Sequence, residues 1–82
     1  GLNKVKIVDS STGELVRDVE WAYEYLDGKL VMSMMSFDWN TTKNVSVYVD
    51  GVKIESFEEL RSEETYNGNI DLKPYEPVML RI

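Results

Sequence analysis

Hydrophobic and polar residues alternate with a period of two along most of this chain. Asn44-Val-Ser-Val-Tyr-Val-Asp50 puts Val45, Val47 and Val49 on one face and Ser46 and Tyr48 on the other. Asp50-Gly51 follows, then Val52-Lys-Ile54. Asp-Gly between two alternating runs predicts a tight hairpin, because both central residues of its turn need positive φ. A two-residue loop pairs Val49 with Val52 and Val47 with Ile54 on one face. It pairs Tyr48 with Lys53 and Ser46 with Glu55 on the other. A second Asp-Gly lies at Asp27-Gly28. The same arithmetic pairs Tyr25 with Leu30, Tyr23 with Met32 and Trp21 with Met34. The opposite face pairs Glu24 with Val31, Ala22 with Ser33 and Glu20 with Met35. Each register sorts the hairpin into a more apolar and a more polar face, and a one-residue slip would scramble that sorting.

Weaker signals complete the reading. Lys4-Val-Lys-Ile-Val8 predicts an edge strand, and Asp9-Ser-Ser-Thr-Gly13 is turn chemistry. Phe37 to Lys43 predicts a polar connection. Ser56-Phe-Glu-Glu59 matches a capping box and predicts about one helical turn from Phe57 to Arg61. Glu63 to Gly68 reads as loop. Ile70 and Leu72 mark a strand, Pro74 to Pro77 a proline-fixed turn, and Val78, Leu80 and Ile82 a closing strand. The whole predicts an all-β fold of six or seven short antiparallel strands. Two packed sheets, a β-sandwich, are the usual way to bury one face of each, with barrel closure as the alternative. Trp21, Tyr23, Leu30, Met32, Val45, Val47, Ile54, Leu72 and Leu80 are the expected core.

Eighty-two residues, 43% of them hydrophobic, form one domain over residues 1–82. A start at Gly1-Leu2 suggests an excised fragment or processed product, which leaves localisation open. The chain has no cysteine to cross-link its core. Its net charge of −6 and nine scattered basic residues argue against nucleic-acid or anionic-membrane partners. No apolar run approaches the roughly 20 residues of a membrane span.

Histidine is absent as well, which removes the usual general base and nearly all zinc sites. There is no phosphate loop and no Asp-x-Asp-x-Asp-Gly calcium loop, so no cofactor or metal is expected. Glu58-Glu59 and Glu63-Glu64 are the only adjacent carboxylate pairs. They lie in a polar stretch, whereas a catalytic acid needs a desolvating cleft. No residue is therefore expected to be catalytic.

Four segments carry a resemblance: Gly28-Lys-Leu-Val-Met-Ser33, Asn44 to Asp50, Phe57-Glu-Glu-Leu60, and Leu72-Lys-Pro-Tyr-Glu-Pro-Val-Met-Leu80. In order and rhythm they resemble the C-terminal β-sandwich domain of glycoside hydrolases, of the alpha-amylase family or the β-galactosidase type. Lys73-Pro-Tyr-Glu76 is the distinctive tetrapeptide. In those families the catalytic acids lie on a preceding (β/α)-barrel, and the terminal sandwich packs against it. The resemblance thus implies a non-catalytic accessory domain of a carbohydrate-active enzyme. Its partner would be the catalytic domain of the same chain.

Two other readings stay open: an autonomous carbohydrate-binding module, and an immunoglobulin-like spacer or adhesion domain. Trp39 and Tyr48 are the candidate carbohydrate or partner contacts. Trp39 sits in a polar loop, either exposed for contact or folded back to cap the sandwich, the second being preferred. Tyr48 projects from a polar face. The stripe Trp21, Tyr23, Tyr25 is assigned to the core rather than to a sugar platform. With Trp39 as the one remaining stacking ring, no sugar is expected to bind tighter than about 1 mM.

Overall fold

The structure, a computed structural model, describes residues 4–82. Its described residues form nine strands and no helix. They are β1 (Val5–Asp9), β2 (Val19–Leu26), β3 (Lys29–Ser36), β4 (Lys43–Val49), β5 (Val52–Lys53), β6 (Ser56–Glu59), β7 (Thr65–Asn67), β8 (Ile70–Leu72) and β9 (Val78–Arg81). Two antiparallel sheets pack as a β-sandwich. One has the order β1-β4-β5, with β8 beside β5 on the same flank of β4. The other has the order β2-β3-β9-β6-β7. The strand count exceeds the expected six or seven because β6 and β7 form where a helical turn and a loop were expected.

Both Asp-Gly turns form. Asp27 and Gly28 have φ of 52° and 77°, and Asp50 and Gly51 have 52° and 83°. The β2–β3 register matches the expected pairing over its whole length, from Val19 opposite Ser36 to Leu26 opposite Lys29. The second hairpin keeps Val49 opposite Val52 and Tyr48 opposite Lys53. The Ile54 N–H still reaches the Val47 carbonyl at 2.9 Å. The expected pairing of Ser46 with Glu55 does not form. There the chain leaves for the other sheet, and Val45 pairs with Ile70 of β8 instead.

The inner faces meet in one core. Leu30, Met32 and Met34 of β3 face Ile7, Val45, Val47, Ile70 and Leu72 of the smaller sheet, with Phe57 and Leu80 closing the layer. Leu30, Met32, Val45, Val47, Leu72 and Leu80 are buried as expected. Tyr23 and Ile54 are half-buried. Trp21 corrects the expectation: it is 36% exposed. Its register is the expected one, but β2 is the end strand of its sheet, so a residue on its inner face lies at the rim of the core.

The expected helical turn is absent too. Ser56–Glu59 is strand β6, pairing with β7 on one side and β9 on the other. Phe57 and Glu59 alternate inward with Glu58 outward, so the period-two pattern outweighs the capping-box spacing. Glu59 is buried, and its carboxylate serves the backbone rather than a helix start. It accepts the N–H groups of Arg61 (2.8 Å), Ser62 (2.9 Å) and Met79 (2.6 Å). Residues 63–68, read as loop, contain β7.

Candidate interaction surfaces

Of the adjacent carboxylate pairs, Glu58 forms an ion pair with Arg81 across the outer face, and Glu59 is the backbone staple just described. Burial pushes the Glu59 carboxyl upward. The N–H donors of Met79, Ser62 and Arg61, with the Ser62 hydroxyl, outweigh it and hold the group below the usual carboxylate range. A carboxylate so fully engaged is a structural fastening. The Tyr66 phenol is pushed up by burial and by the charges of Glu64 and Glu59. Among the described residues no cluster of three His, Cys, Asp or Glu side chains could hold a metal ion. Apart from single residues such as Leu15 and Val52, exposed apolar side chains group in three places.

The first is the outer face of the larger sheet, where β2, β3 and β9 lie side by side. Ala22, Leu26, Val31 and Met79 share this face and line an open cleft of about 420 Å3 with Tyr23, Glu24 and Ser33. Leu26 and Met79 are 50% and 41% exposed, while Val31 is buried among them. An outer sheet face facing only water should alternate to polar residues. Here apolar and charged residues interleave: Glu24 and Arg81 flank Val31, Ser33 lies between Ala22 and Met79, and Leu26 stands opposite Lys29.

The second is the rim stripe on the opposite face of β2. The rings of Trp21 and Tyr23 lie 6.2 Å apart and nearly parallel, at 18°. Tyr25 continues the row and is exposed. The two-residue spacing that suggested a core strip is obeyed. What the sequence hides is that β2 has no strand beyond it to complete the cover.

The third is the end of the sandwich where the β3–β4 loop meets the β8–β9 turn. Ser36 and Pro74 form a parallel bridge, and the Tyr75 N–H donates to the Ser36 carbonyl at 2.9 Å. This brings Phe37 and Tyr75 together edge to face, with centroids 6.0 Å apart at 79°. Trp39 stands two residues beyond Phe37. It is 73% exposed, so it does not cap the sandwich. Its loop turns on Asp38, whose carboxylate accepts the N–H groups of Asn40 and Thr41 and the Thr41 hydroxyl and pairs with Lys43. Those bonds hold the Asp38 carboxyl below its usual value, led by the Asn40 N–H.

Tyr48, the other candidate contact, is half-buried on the outer face of the smaller sheet between Lys6 and Lys53. The structure does not bring it together with Trp39. Phe37 and Tyr75 are the residues that sequence reasoning missed. Tyr75 sits inside the Lys-Pro-Tyr-Glu tetrapeptide, but nothing in sequence marked that turn as a neighbour of the Phe37 loop, 38 positions earlier.

Comparison of the chain with protein-family models, with curated proteins and with solved structures found no match.

Proposed function

We propose that this chain is a non-catalytic accessory domain of a carbohydrate-active enzyme, a glycoside hydrolase, that packs on the catalytic domain of the same protein and stabilises it. The observation that carries the reading is the apolar outer face of the larger sheet. Ala22, Leu26, Val31 and Met79 line one open cleft on this face, interleaved with Ser33, Glu24 and Arg81, which is more apolar surface than water alone would require. Such a face suits a covering domain, with the interleaved charges as polar contacts within the interface. The resemblance of Leu72 to Leu80 to the closing strands of glycoside-hydrolase sandwiches names the kind of domain that would cover it. A spacer domain would need no such patch.

The test uses the full-length protein that contains these residues. The sequence preceding Gly1 should encode a barrel with paired catalytic carboxylates. Leu26→Glu with Met79→Glu should lower the melting temperature of that full-length enzyme, while the 82-residue chain carrying the same changes melts as before. An upstream sequence without such a domain, or an unchanged melt of the full-length variant, would sink the reading.

A further inference from the structure

We propose that the loop end of the sandwich binds a neutral polysaccharide chain through Phe37, Trp39 and Tyr75. The residues of the docking face take no part in it, so this site and the proposed docking stand or fall separately.

Phe37 and Tyr75 meet at this end, Trp39 stands two residues further along the same loop, and each ring is open to solvent: Phe37 by 39%, Tyr75 by 55% and Trp39 by 73%. The chain holds them there. Phe37 donates its N–H to the Asp18 carbonyl at 2.7 Å, and Tyr75 donates its own to Ser36. Asp38 fastens the turn that carries Trp39 with three hydrogen bonds. Backbone already fastened in place loses little freedom when a ligand arrives.

Tyr75 adds a second observation. Its φ is 57°, in the left-handed region that bulky side chains avoid. Glycine would make the same turn without strain. A tyrosine there, against its backbone preference and with its side chain open to solvent, points to a use for the ring.

The chemistry of the surroundings selects the ligand. Aromatic rings take up nucleobases, quaternary cations or the C–H faces of sugars. Nucleic acid needs cations along its backbone. Here Lys43 is tied to Asp38, Glu76 stands next to Tyr75, and the chain as a whole carries −6. A cation cage needs open space between its rings. The edge-to-face contact of Phe37 with Tyr75 closes that space. An apolar protein partner suits a broader patch, like the cleft on the outer face of the larger sheet. Asn40, Thr41, Lys73 and Glu76 flank the ring-bearing residues in the same loop and turn and can bond hydroxyl groups. A pyranose offers both: a C–H face for the electron-rich ring and hydroxyls for the polar neighbours.

The 82-residue chain should be titrated calorimetrically with soluble starch, mixed-linkage β-glucan and galactan, and with single-stranded DNA. With Phe37 and Tyr75 added to Trp39, the limit expected for a single ring no longer applies: at least one glycan should bind with a dissociation constant below about 1 mM, and the DNA should not bind. Trp39→Ala should weaken glycan binding at least about tenfold, and Tyr75→Phe by less than about threefold. Tyr75→Gly removes the ring and relieves the backbone together. It should weaken binding like Trp39→Ala without lowering the melting temperature, which separates lost contact from lost fold. Failure of all three glycans at millimolar concentration overturns the proposal. So does binding that survives both Trp39→Ala and Tyr75→Gly, or that is abolished only by Trp21→Ala, which would move the site to the β2 rim.

Discussion

The turns at Asp27-Gly28 and Asp50-Gly51 have nearly the same backbone, and each sets the same kind of register in the strands it joins. Beyond the turns the two hairpins part. β2 and β3 stay paired for eight residues on each side. β4 and β5 separate after two pairs, because Ile54 is the last residue held to β4 before the chain crosses to the larger sheet as β6. The long hairpin has one strand in the middle of its sheet and one at the end, so its two inner faces differ. Met32 and Met34 are sealed, while Trp21 and Tyr25, on the same side of the same hairpin, are open. The short hairpin buries Val45 and Val47 completely, because β1 and β8 flank β4 beyond its reach. A tight turn thus fixes which residues lie opposite each other. The strands added from elsewhere in the chain decide which of them are buried.

The largest expected effects test that division within the long hairpin. Met32→Ala should cost about 2–5 kcal/mol, because it empties a site with no exposure. Trp21→Ala should cost less than about 1.5 kcal/mol, well under the roughly 3–5 kcal/mol of a sealed tryptophan. Urea melts of the two variants give the comparison directly. Equal losses would mean that the rim of β2 is packed as tightly as the centre.

Next comes the fastening of the strand that the short hairpin feeds. Glu59→Gln turns an amide N–H2 or a neutral oxygen toward three backbone donors, and should cost about 1–3 kcal/mol. It should also change the acid response. The folded Glu59 carboxyl titrates below its ordinary 4.5, so the unfolded chain takes up the proton first as pH falls. The stabilisation is therefore whole above pH 4.5 and drains away as pH falls through the folded value. Asp38 and Asp9, held low chiefly by the Asn40 N–H and the Ser11 hydroxyl, act with the same sign. Denaturation midpoints measured from neutral to acid pH should fall less steeply for Glu59→Gln than for the parent chain. Parallel slopes would remove Glu59 from the acid response.

The turns themselves should behave alike despite their different settings. A Cβ at Gly28 or Gly51 would meet nothing within 4 Å, so the cost of a side chain is conformational alone. Gly28→Val and Gly51→Val should each destabilise by over about 1 kcal/mol, and by similar amounts. A large disparity would show that one turn draws on contacts beyond its own backbone.

The smallest effects lie at the open ends. Tyr25→Lys on the rim and Val52→Lys beside the second turn should each fall within about 0.5 kcal/mol of zero. A loss well beyond that at Tyr25 would mark the β2 stripe as structural surface.

The long hairpin's register, the first pairs of the short one, both positive-φ turns, the all-β class and six of the nine expected core residues could be read from the chain, because each depends on residues close in sequence or on alternation along one strand. Lys4 to Val8 was legible as an edge strand for the same reason. The Ser56–Glu59 segment was misread because a capping box and a two-residue alternation share a spacing over four residues. Only pairing with β7 and β9 distinguishes them. The position of β2 at the end of its sheet, and with it the exposure of Trp21, follows from the order β2-β3-β9-β6-β7, in which β9 comes from the far end of the chain. The meeting of Phe37 with Tyr75 has the same origin: a bridge between Ser36 and Pro74 that no local pattern announces. Sequence by itself determined what lies opposite what across each turn, since φ preferences and period-two patterning act over a few residues. Tertiary structure alone decided what is covered and what is left open, since burial depends on which distant strands arrive alongside.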